Sequence, residues 1–124
     1  MKPILKYKPK TVQIRPWEEI EKSYIDLVSH GFDFDSILGL IKFIRNNSFE
    51  DRLFGYTSLE KLIITIYNPA EWHRESLHVG FDRHTKRWQF EYYSKPGEPI
   101  GFERYYSEEI GLEKFSQFIE WIKW

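Results

Sequence analysis

The apolar positions of the chain change period twice. From Trp17 onward Ile20, Tyr24, Leu27 and Val28 recur at helical spacing, which gathers them on one side of a helix. Pro16 suits the opening turn because its φ is already helical and its missing N–H has no helical partner to lose. Glu18, Glu19 and Glu21 favour the positive end of the helix dipole, and Gly31 offers a left-handed stop. A second helix follows, capped by Asp35 or Ser36, with Ile37, Leu38, Leu40, Ile41, Phe43 and Ile44 as its apolar side. Asn46-Asn47 ends it. The short link between the two predicts an antiparallel helical hairpin.

The stretch FEDRLFGYTS reads as a loop. After it the period becomes two. LIITIY sets Leu62, Ile64 and Ile66 against Ile63, Thr65 and Tyr67. In SLHVGFD, Leu77, Val79 and Phe81 alternate with polar neighbours. RWQFEYY places Trp88, Phe90 and Tyr92 on one face, and IGFERYY adds a further strand. The turns DRHTKR and KPGEP join the last three, as in an antiparallel meander. The period then returns to helical in GLEKFSQFIEWIKW, where Leu112, Phe115, Phe118, Ile119 and Ile122 form a stripe. These elements predict one α+β domain over 1–124. It has a four-stranded, mainly antiparallel sheet, with the helical hairpin and the C-terminal helix packed on one face. Residues 1–16 would be a basic arm or, through Val12 and Ile14, a short edge strand.

Composition adds limits. The chain has 124 residues, 41% hydrophobic, and 19% are aromatic, so rings should fill part of the core. There is no cysteine, which removes disulfide scaffolds, thiolate metal sites and cysteine nucleophiles. The first residues, MKPILKYKPKTVQIRP, contain no signal-like apolar run. No stretch reaches the roughly 18 apolar residues of a membrane span. A soluble cytoplasmic protein, without a membrane contact, is the expectation.

The net charge is −1, unevenly spread. Lys2, Lys6, Lys8, Lys10 and Arg15 make residues 1–16 basic. Between 17 and 60 stand Glu18, Glu19, Glu21, Asp26, Asp33, Asp35, Glu50, Asp51 and Glu60 against four bases. Such asymmetry points to a charged partner.

Signatures of catalysis are missing from the sequence. His30, His73, His78 and His84 do not form a metal-ligand spacing, so no metal and no cofactor is expected. No Gly-x-Ser-x-Gly elbow or glycine-rich phosphate loop occurs. A metal-free ribonuclease would need histidine, glutamate and arginine together on the sheet. His78, His84, Glu91, Glu103, Arg74, Arg83, Arg87 and Arg104 could supply them, yet any charged sheet of this size offers such a set. A single-strand binding platform needs exposed rings among cations. Trp88, Phe90 and Tyr92 are needed beneath the helices instead, and Glu91 and Glu103 weaken attraction to phosphate on the other face. Nucleic acid is therefore disfavoured as a partner, with the basic arm as the feature that keeps it in view.

The second face of the sheet, with Arg87, Gln89, Glu91, Tyr93, Glu103 and Tyr105, mixes residue types favoured at protein interfaces. Residues 58–124, through SLEKLIITIY, RWQFEYY, IGFERYY and LEKFSQFIEWIKW, resemble the small immunity proteins of bacterial polymorphic toxin systems, including those of contact-dependent growth inhibition. The resemblance implies a compact cytoplasmic α+β domain without catalytic activity. It also implies a cognate toxin as partner, often a nuclease, which the protein binds and blocks as an antitoxin. An acidic surface suits a basic toxin site, because complementary charge speeds encounter and rejects wrong partners. Glu18, Glu21, Asp33, Asp35, Glu50 and Asp51 are then candidate partner-binding residues, together with Arg87, Gln89, Glu91 and Tyr93. The chain departs from the strongly acidic character common in such inhibitors, being nearly neutral with a basic arm.

Overall fold

The computed structural model describes residues 11–12, 14–58, 61–68, 70–71, 74–94 and 101–124. Lys2, Lys6, Lys8 and Lys10 of the basic arm, with Glu60, His73 and Ile100, lie outside these residues.

Helix α1 spans Trp17–Ser29 and α2 spans Asp35–Asn46. Gly31 takes φ +91° just past α1, where a side chain would be strained. Neither Asp35 nor Ser36 caps α2. Phe34 holds the cap position without a side-chain bond, and its ring packs edge-on against Tyr24 with centroids 5.5 Å apart. Burial of a ring has decided that boundary in place of a hydroxyl cap. The hairpin is antiparallel, as Arg45 near the end of α2 reaches Glu21 in α1 at 3.3 Å.

A 3₁₀ turn over Ser48–Asp51 follows, and then the strands β2 (Phe54–Ser58), β3 (Lys61–Thr65), β4 (Ala70–Glu71), β5 (Ser76–Asp82), β6 (Arg87–Tyr93) and β7 (Phe102–Ser107). The main sheet is antiparallel, in the order β2-β3-β5-β6-β7. It therefore has five strands where the sequence pattern predicts four. The additional strand is β2, within the stretch read as a loop. Its alternation is hidden because the core-facing position is Gly55, where a Cβ would stand 2.7 Å from the Trp17 ring. Trp17 fills the space that a side chain of β2 would otherwise occupy, and its Nε1 donates to the Leu53 carbonyl at 2.8 Å.

Thr11–Val12 forms β1 and pairs with β4 in a separate two-stranded ribbon, while Arg15 bridges to Gly55 beside β2. Helix α3 spans Gly111–Ile122 after a 3₁₀ turn at Glu108–Ile110.

The core lies between the helices and one face of the sheet. Register aligns Ile64 with Leu77, Leu62 with Val79, and Val79 with Phe90. These residues and Trp88 share one buried cluster with Ile20, Ile41, Ile44 and Phe115 from the helices. Trp88 is only 2% exposed, and its Nε1 donates to the Glu108 carbonyl at 3.1 Å. Gly111 makes room for it, since a Cβ there would fall 2.0 Å from the same nitrogen. Half-buried Tyr92 packs tilted against Phe118 with centroids 5.6 Å apart. The ring row of β6 is thus a wall of the core.

Candidate functional site

The period of two turns the opposite residues of β6 away from that core. Arg87, Gln89, Glu91 and Tyr93 share this polar face. Across the ladders Glu91 stands beside His78 of β5 and Glu103 of β7, and Gln89 beside Gly80 and Tyr105. Gly80 matters for what it lacks. The Lys61 Cγ lies 3.7 Å from where its Cβ would be, so the lysine stem crosses β5 there and its ammonium binds the Glu91 carboxylate. Tyr93 also donates to Glu91, from its hydroxyl at 3.1 Å.

This cluster is closed rather than open. Glu91 is 6% exposed and Ile63, on the same face, is 1% exposed. Burial raises the Glu91 carboxyl pKa, but the hydrogen bonds from Lys61 and Tyr93 and the lysine charge outweigh it, leaving the group below its ordinary value. Burial and the Lys61 charge push His78 down as well, to about 4, with Glu91 opposing. Its ring lies against Tyr93 with centroids 4.5 Å apart, and Nε2 is 3.2 Å from the Ser76 hydroxyl. His78 is therefore neutral and Glu91 charged at pH 7. The arrangement holds an ion pair in place.

Of the other residues considered for ribonuclease chemistry, His84 and Arg83 are exposed in the β5–β6 turn. Asp82 organises that turn, its Oδ1 accepting from the His84 and Thr85 backbone N–H groups at 2.8 and 3.4 Å. Arg87 lies over the Tyr105 ring at 5.0 Å and Arg104 over Phe102 at 4.7 Å. Among the described residues no group of three or more His, Asp or Glu could hold a metal ion. No helix among them is long and apolar enough to cross a membrane.

The acidic candidates fall in two further places. Glu18, Glu50 and Asp51 line an open cleft of about 620 Å³ that also receives Arg15 and Arg45. Arg45 binds Glu21 at 3.3 Å and Glu50 at 3.5 Å, while Glu18 pairs with Lys22 at 3.3 Å. The Arg45–Glu21 pair is part-buried, whereas Glu18, Glu50 and Asp51 are exposed, where ion pairs are of small individual worth, so these three carboxylates stay available to a stronger cationic partner. Asp33 sits at the helical link, bound to Lys86 at 3.4 Å. Together with Gln89, His84 and Phe32 it lines a second cleft of about 400 Å³. Asp35 is exposed at the start of α2. The ten candidates thus lie at or beside the hairpin cleft, at or beside the helical link, and on the polar face, the last two regions meeting at Gln89.

Two participants are absent from the sequence-based set. Lys61 completes the polar-face network from two strands away. Its signal was the missing side chain at Gly80, over which its stem passes. The other is a groove of about 230 Å³ between β7 and α3, lined by Phe102, Tyr106, Lys114, Gln117, Phe118 and Trp121. Trp121 is 66% exposed and falls outside the apolar stripe of α3, which was the available clue.

Comparison with protein-family models, with curated proteins and with solved structures gives no match for the chain.

Proposed function

We propose that the chain is a non-enzymatic binding protein, an immunity protein that neutralises a cognate bacterial toxin in the cytoplasm by forming a tight complex. The observation that carries the reading is the hairpin cleft, where Glu18, Glu50 and Asp51 stand together at the surface. A cationic active site is the natural counterpart of such a surface. The closed state of the Lys61–Glu91–His78 network supports a binding role over hydrolysis, because Glu91 is taken up by Lys61 and Tyr93 and His78 lies against Tyr93 and Ser76. The burial of Trp88 and Phe90 likewise weighs against a base-stacking platform. The toxin as the kind of partner rests on the resemblance of residues 58–124 to immunity proteins.

The test is binding and protection with the purified product of the adjacent upstream gene. A stoichiometric complex that blocks its toxicity is expected. Absence of both a complex and protection would remove the reading.

A further inference from the structure

β7 is an edge strand, with β6 as its sole strand neighbour among the described residues. Its outer row of backbone N–H and C=O groups is therefore a template for another strand. Proteins commonly blunt such an edge with bulges, prolines or a covering element. The β7 edge carries the exposed charges of Glu103 and Arg104 and adjoins the groove of Phe102, Tyr106, Phe118 and Trp121. At about 230 Å³ the groove is smaller than the usual small-molecule pocket and suits a single side chain. Exposed tryptophan, tyrosine and arginine are the residue types that dominate binding energy at interfaces.

Charge narrows the occupant. Two cations rest on rings at the groove side, Arg104 over Phe102 at 4.7 Å and Lys114 over Tyr106 at 5.7 Å. On the other side of β7 Glu103 stands beside Glu91, with Tyr105 two residues on beneath the Arg87 guanidinium at 5.0 Å. A strand laid on this edge meets Phe102, Arg104 and Tyr106 on one face and Glu103 and Tyr105 on the other. Cross-strand neighbours favour opposite charges and matched apolar pairs.

We propose that the β7 edge takes an extended strand of another polypeptide carrying the pattern apolar–polar–acidic–basic–apolar, antiparallel to Tyr106 through Phe102. The acidic residue meets Arg104, the basic one Glu103, and an apolar end enters the groove beside Trp121. This surface is separate from the acidic hairpin cleft and does not require the partner there to be a toxin. A second copy of the chain fits less well, because β7 paired with itself about Arg104 sets Arg104 against Arg104, and paired about Tyr105 sets Arg104 against Tyr106 and Glu103 against Ser107, so neither register gives either charge an opposite partner. Single-stranded nucleic acid is disfavoured by Glu103 and by Glu108 and Glu109 at the strand end.

The probe is a fluorescein-labelled peptide, Thr-Val-Thr-Glu-Lys-Phe-Thr, compared by anisotropy with its charge-swapped form, Thr-Val-Thr-Lys-Glu-Phe-Thr. The first should bind about tenfold more tightly. The double variant E103K/R104E should reverse that preference, and Trp121→Ala should weaken both peptides. These three side chains are exposed, and a control on the unmodified protein is also available. Methylating alternate backbone nitrogens of the peptide should abolish binding in one of the two phases and spare it in the other. Equal affinity for both peptides, no saturable binding, or indifference to backbone methylation in both phases would overturn the proposal. So would tighter binding of a thymidine heptanucleotide, or a dimer in sedimentation that Trp121→Ala abolishes.

Discussion

The molecule carries two clusters of charged side chains in opposite surroundings. On the sheet, Lys61, Glu91 and His78 are packed with Tyr93 and Ile63, and each polar group has a partner. On the helical hairpin, Glu18, Glu50 and Asp51 stand around Arg45 in contact with water. Both clusters contain candidate partner-binding residues. Burial separates their roles. A carboxylate that has lost its water is tied to its counter-charge and serves the fold, while one that keeps its water can exchange its cation for another.

That comparison can be broken by substitution, with the hydrophobic side of β6 as a reference. Trp88→Ala removes the wall beneath α3 and should cost about 3–5 kcal/mol in urea unfolding. Gly55→Ala forces a Cβ against Trp17 and should cost about 1–3 kcal/mol. Lys61→Met leaves Glu91 buried without its counter-charge, although Tyr93 still donates to it, and should cost about 1–3 kcal/mol. Glu50→Gln, on the exposed cluster, should stay within about 0.5 kcal/mol of the parent. Equal costs for the last two would erase the distinction.

The pH dependence sharpens the same contrast. His78 has a folded pKa of about 4 against an ordinary 6.5. The unfolded chain thus binds more protons between those values, so stability is present above pH 6.5 and is lost as pH falls toward 4. Glu91, held below its ordinary value, adds a further loss as pH falls through its own folded pKa. Thermal melts across this range should slope downward toward acid. His78→Gln should flatten the upper part of that slope and leave the lower part.

Much of the fold was legible because hydrophobic period reports which side of an element is covered. α1, β5, β6 and the stripe of α3 follow that rule. β2 escaped it because its inward position is a glycine whose reason is Trp17, in a different element. The site was legible only in part for a related cause. Alternation in RWQFEYY correctly puts Arg87, Gln89, Glu91 and Tyr93 on one face. The burial of Glu91, however, depends on Lys61 crossing Gly80, a contact set by strand order. Likewise the acids of 17–60 read as one charge block, whereas folding sets Glu18, Glu50 and Asp51 at the hairpin cleft and Asp33 at the link beside Lys86.

The most direct test of the account compares the two clusters in binding. The product of the adjacent upstream gene is titrated with the parent chain, with E50K/D51K and with Lys61→Met, by calorimetry at neutral pH. A stoichiometric complex is expected that E50K/D51K weakens by about tenfold or more, with Lys61→Met close to the parent. Loss of binding in Lys61→Met with full affinity in E50K/D51K would contradict it.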